Sequence, residues 1–192
     1  MPASSLRPAH RSAAALAAVA AAALSLVGVA EGGARGANAY LAPASACPGA
    51  DDAAASPAVQ RRALGCLVNW ARGQDRRAGL RHPAALQRAA LLKGRAVVSC
   101  ASFSHTPCGS DPAAVLRAAG YRYASYGENL FVGPWSQVSA REVVAAWLAS
   151  PPHRANILRA GFRDFGATFV HAPGLDGGAD AVVWVGAFAS PR

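Results

Sequence analysis

Three short stretches carry the side chains that could do chemistry. They are Phe103-Ser104-His105, Tyr126-Gly127-Glu128-Asn129-Leu130, and Ser150-Pro151-Pro152-His153-Arg154-Ala155-Asn156-Ile157-Leu158. From Tyr40 onward the chain has only two glutamates and four histidines, so the setting of each is informative. Glu142 is explained by Ser139-Ala140-Arg141-Glu142, a helix-start pattern in which serine and glutamate each satisfy a backbone donor. Glu128 has no such role; it sits between a glycine and an asparagine, next to an apolar run that should be buried. A buried carboxylate needs hydrogen bonds, a cation or a metal to stay ionised. His105 and His153 are its natural partners, and we expect the three to meet in one cleft.

Two imidazoles and one carboxylate with an open fourth position are the ligand set of an accessible zinc site. Without metal, the same three form a hydrogen-bonded acid–base cluster near neutral pH. No HExxH pattern pins two ligands to one helix face, so spacing does not choose between these. His82, before Pro83, and His171, beside a turn, read as structural. There is no G-x-S-x-G elbow, P-loop or dinucleotide fingerprint, and an even cysteine count disfavours a free thiol nucleophile.

The elements that must position these residues follow from periodicity and punctuation. Residues 40–56 lack a repeat and read as an irregular lead-in. Ser56-Pro57 starts a helix that Arg72-Gly73 closes, with Val59, Ala63, Cys66, Leu67 and Trp70 at helical spacing. A second helix runs from Pro83 to about Ala101, with Leu86, Ala89, Ala90, Val97 and Cys100 on one face and Lys93 and Arg95 off it. Residues 106–109 are a turn, and a third helix runs from Asp111-Pro112 to Gly120, with Val115, Leu116 and Ala119 inward. Residues 127–132 read as a short strand or extended loop, stopped by Gly133-Pro134. The fourth helix begins at Ser139 and ends at Pro151-Pro152, and residues 154–158 add one helical turn. Residues 162–170 and 181–189 are β-rich around a turn and predict a terminal hairpin. Helices first and strands later predict an α+β fold, helices flanking a small antiparallel sheet.

The first 39 residues have the pattern of a signal peptide. Arg7 and Arg11 form a basic start, residues 13–30 are apolar except Ser25, and Ala37-Asn38-Ala39 is an A-x-A cleavage signature. Cleavage after Ala44 or Ala46 is a rival, as is an uncleaved anchor. Loss of residues 1–39 removes Arg7, Arg11, Arg35 and Glu31, taking the formal charge from +9 to +7. Such a charge draws an exported protein to anionic polymers or lipid head groups. The arginines are scattered and no nucleic-acid motif accompanies them, so no nucleic-acid partner is expected. No second apolar span exists, so no membrane crossing is expected after cleavage. Four cysteines beyond the leader fit an oxidising compartment, and of three connectivities we favour Cys47–Cys66 and Cys100–Cys108 as sequence neighbours.

Taken in order, these motifs resemble a bacterial CAP domain, the SCP-like superfamily of cysteine-rich secretory, antigen-5 and pathogenesis-related proteins. The carriers are Phe103-Ser104-His105, Gly120-Tyr121, Gly127-Glu128-Asn129-Leu130, the run from Trp147 through His153 to Leu158, and residues 162–166. The resemblance implies a CAP domain over residues 57–190, an α–β–α sandwich with a cleft of two histidines and two acids. Carried over, it gives His105, Glu128 and His153 as cleft residues, with Ser104, Asn129, Ser150 and Asn156 in support. Ser150 stands where the second acid is expected, which weakens a four-residue metal or protease-like site. Three residues could still hold zinc or magnesium through water. The expected function is a secreted binding module for a lipid, sterol-like or cell-envelope ligand, with Tyr121, Tyr123 and Tyr126 near the cleft. A secreted metal-assisted hydrolase and a ligand-free structural domain are the alternatives. The oligomeric state is left open.

Overall fold

The computed structural model of the chain describes residues 36–176 and 179–192. Most of the proposed leader, residues 1–35, lies outside them. The helices are α1 (Pro57–Gln74), α2 (Ala84–Ser99), α3 (Ala114–Ala118), α4 (Ala140–Ala149) and α5 (Pro151–Leu158), and the strands are β1 (Tyr123–Pro134), β2 (Asp164–Asp176) and β3 (Ala179–Pro191). The strands form one antiparallel sheet in the order β1-β3-β2, so the last strand in the chain is the central one.

β3 explains the layering. Its side chains alternate between two faces, as the two-residue period of a strand requires. Val182, Trp184 and Phe188 join Leu64, Leu67, Val68, Val143, Trp147, Phe162 and Phe165, packing the sheet against α1, α4 and α5. Val183, Val185, Ala187 and Ala189 join Leu86, Ala89, Ala90, Val97 and Leu116, packing the other face against α2 and α3. Helices cover both faces, giving the α–β–α sandwich. Gly166 of β2 lets α2 come close: a Cβ there would collide with the Leu86 carbonyl.

The lead-in is part of the fold. Short 3-10 turns at Ala37–Tyr40 and Ala44–Ala46 place Tyr40 and Ala42 in the core beside Cys47 and Ala50. Cys47 is bonded to Cys66 of α1, and Cys100 to Cys108. Arg141 of α4 donates to the Ala42 carbonyl at 2.5 Å.

Several expectations change. The buried stripe of α1 runs through Gln60, Ala63, Leu64, Leu67, Val68 and Ala71, while Val59, Cys66 and Trp70 sit at its margin. Gln60 is tolerated inside because its amide donates to Asp52 O and accepts from Ala140 N. Lys93 is not off the stripe of α2 but on it, seven residues after Leu86, and only 1 % exposed. Gly133-Pro134 closes β1, which ends at Pro134, but from within the strand: β1 is an edge, where proline's missing N–H costs no ladder bond, and the pair stays in register with Val182 and Ala181. Pro151 and Pro152 end α4 but also open α5, since first-turn positions need no N–H. The hairpin is longer than its apolar runs, and α3 is a single short turn and a half.

Candidate functional site

β1 divides its polar residues between two sides. Tyr126, Glu128 and Leu130 pair with Ala189, Ala187 and Val185, and therefore share the face packed on α2 and α3. Asn129, one residue out of phase, points the other way, toward α5. Residues 101–107 form a loop that the Cys100–Cys108 disulfide closes, and this loop carries His105 over Glu128.

The Glu128 carboxylate is fully engaged. Its Oε1 lies 2.8 Å from His105 Nδ1, and its Oε2 accepts from the Tyr126 hydroxyl at 2.6 Å. Lys93 Nζ is 3.4 Å from the same Oε2 and donates to the His105 carbonyl at 2.7 Å. The Glu128 and Lys93 side chains are 4 % and 1 % exposed, whereas the His105 side chain is 56 % exposed. The hydrogen bond to Glu128 raises the His105 pKa above the usual histidine value, against the pull of burial and of the Lys93 charge. Burial, followed by the charge of Glu128, pushes the Tyr126 phenol up, so it serves as a neutral donor.

His153 lies near this group without joining its hydrogen bonds. Asn129 Nδ2 donates to the His153 carbonyl at 3.0 Å, and Asn156 Nδ2 donates to Glu128 O and Asn129 Oδ1 at 3.1 and 2.9 Å. These amides fasten α5 to β1. They need Gly127, since a Cβ there would sit 2.7 Å from Asn156 Oδ1. Burial lowers the His153 pKa, and the charge on His105 lowers it further. The strand period is the reason for the split: Glu128 faces α2 while its neighbour Asn129 faces α5. Among the described residues, no hydrogen bond ties the His153 imidazole or the Ser150 hydroxyl to Glu128. Ser104 bonds Thr106 and shapes the loop instead.

The donor set does not fit a two-histidine, one-carboxylate metal centre. Among the described residues no group of three or more His, Cys, Asp and Glu is arranged to hold a metal ion. Both Glu128 oxygens are already taken, one of them beside an ammonium. Of the remaining histidines, His82 Nδ1 is 3.1 Å from Phe165 O, and His171 pairs with Asp180. Glu142 closes its capping box with Ser139. Tyr121 turns to Asp164, 2.5 Å away, and not to the cluster.

Lys93 was missed because a lysine in a helix reads as solvent-facing. Its signal was the spacing Leu86, Ala90, Lys93, Val97, together with its being the sole lysine of the chain. Buried Arg72 was missed likewise; it donates to the carbonyls of Ala78, Ile157, Arg159 and Phe162, tying α1 to the end of α5. A separate apolar cavity of about 230 Å³, lined by Pro57, Trp135, Val138, Phe169, Val182 and Trp184, shares no residue with the cluster. Ionisable groups converge at the cluster and not at this cavity.

Comparison with solved structures finds the same fold. The chain superposes on an outer surface protein of Borrelia burgdorferi with a TM-score of 0.61 at 17 % identity, covering 72 % of this chain and 97 % of that one. An extracellular protein containing an SCP domain from Bacillus anthracis gives 0.56 at 17 % identity, with 70 % and 44 % covered. A cysteine-rich secretory protein from Staphylococcus aureus gives 0.55 at 15 % identity, with 71 % and 40 % covered. In sequence, the chain is 32 % identical over 88 residues to the uncharacterized protein YkwD of Bacillus subtilis, a match spanning 45 % of this chain and 33 % of that protein. The chain thus matches about a third of that relative's length. The profile of the CAP family, described as the cysteine-rich secretory protein family, matches residues 67–188. With the sandwich, the ordered motifs and a match over more than half its length, the chain belongs to the CAP, or cysteine-rich secretory protein, family.

Proposed function

We propose that the protein is exported and binds a lipid, sterol-like or cell-envelope ligand through the polar end that reaches His105. The observation that carries this reading is the saturation of Glu128. Three donors from the chain hold its two oxygens, leaving the carboxylate neither a free base nor a free ligand. The group of this cluster turned to solvent is the His105 imidazole. Close by in the chain stands Phe103, 45 % exposed, a large apolar side chain left outside the core. A net charge of +7 after loss of the leader favours anionic head groups. Export is supported by the leader pattern, by two disulfides, and by the likeness to a neighbour described as extracellular.

Sedimentation of the exported protein with anionic vesicles, neutral vesicles and isolated cell wall tests the reading. His105→Ala with Phe103→Ser should weaken binding by about tenfold, equivalent to ~1.4 kcal/mol. Equal binding by wild type and double variant on every surface ends it.

One geometric feature favours a second reading. With Nδ1 bonded to Glu128, His105 keeps Nε2 for the cleft, the arrangement of a general base oriented by a carboxylate. Turnover of a peptide or wall-fragment panel that vanishes in Glu128→Gln would establish a hydrolase.

A further inference from the structure

The single lysine of this chain lies inside the sandwich, beside the buried Glu128 carboxylate. Lys93 reaches there from α2. Its ammonium is 2.7 Å from the His105 carbonyl and 3.4 Å from Glu128 Oε2, so it touches both the loop that presents the histidine and the acid that orients it. The two carboxylate oxygens also accept from Tyr126 and His105. A divalent ion at Glu128 would have to displace one of these donors and lie within a few ångströms of a positive charge, with little water between to screen it.

We propose that Lys93 is the resident cation of this cleft: it balances Glu128, fixes the loop bearing His105, and excludes divalent metals. Lys93 thus determines specificity. The cleft meets its ligand through an imidazole and not through a bound ion. This holds whether that ligand is an envelope molecule or a hydrolysable substrate.

Zn2+ alone and Mg2+ alone are the probes, read by equilibrium dialysis and by thermal melting of the exported protein. Wild type and Lys93→Arg should take up no zinc that depends on His105, so that adding His105→Ala changes nothing. Lys93→Met keeps the stem and removes the charge; it should gain zinc affinity on the order of tenfold, and lose it again with Glu128→Gln. Lys93→Met should also melt roughly 10 °C below wild type, because one partner of a buried pair is left alone, and Lys93→Met/Glu128→Gln should recover most of that loss. The recovery reads the pairing even if Lys93→Met alone does not fold. Three results overturn the proposal. They are zinc uptake by wild type that disappears in His105→Ala, a folded Lys93→Met indifferent to zinc, and a double variant no more stable than the single one.

Discussion

The two histidines, His105 and His153, set opposing pH dependences. The hydrogen bond to Glu128 raises His105 above its ordinary 6.5, so the link stabilises the fold fully below that value and fades as pH rises through the raised one. Burial lowers His153, which favours its neutral form; the stability it costs appears as pH falls below 6.5 toward its lowered value. We therefore expect His105→Ala to destabilise most on the acid side of 6.5 and least in alkali, and His153→Ala to relieve part of the acid loss. Urea midpoints from about pH 5 to pH 8 for each variant measure this. Glu128→Gln keeps the shape but leaves Lys93 buried without a counter-charge, and should cost about 3 kcal/mol in the same experiment. At this scale the acid and the histidines were legible, because polar residues between glycines, prolines and apolar runs invite a reason. The cation was not read, although its spacing put it on the buried stripe, because a charged side chain in a helix reads as solvent-facing.

Elements succeed or fail here by their fastenings. Residues 101–106 of the loop form no helix or strand, and the Cys100–Cys108 bond and the Lys93 ammonium hold it. Replacing both cysteines by serine should lower stability by roughly 2–3 kcal/mol on chain-entropy grounds. It should also bring the His105 pKa back toward the ordinary value, seen as its imidazole shift against pH by NMR. α5 depends on Arg72, whose guanidinium gathers carbonyls from the helix end and the following turn. Arg72→Leu orphans several of these groups at roughly 1–3 kcal/mol each, and should show as a lowered melting temperature. Helix starts were readable where a side chain declares them, as at Ser56 and Ser139. The close of β1 at Gly133-Pro134 was readable as well; its start at Tyr123 was not, since the loose alternation before Gly127 becomes strand only by pairing with β3.

For the whole molecule, the core reaches further toward the N-terminus than composition suggests. Tyr40 and Ala42 are buried in it, and the Ala42 carbonyl accepts from Arg141. Of the three cleavage positions open in the sequence, only the one after Ala39 spares both residues. N-terminal sequencing of the exported protein should begin at Tyr40, and a form starting at Ser45 should melt several degrees lower, by about 2–4 °C per kcal/mol lost. The sandwich itself was legible as helices, then strands; which strand lies in the middle was not. That position falls to β3, covered on both faces and following both of its partners in the chain. The sheet has no seam along which to close until residues 179–191 have left the ribosome. Until that strand is in place β1 and β2 share no partner, and neither layer of helices has a complete sheet to pack against.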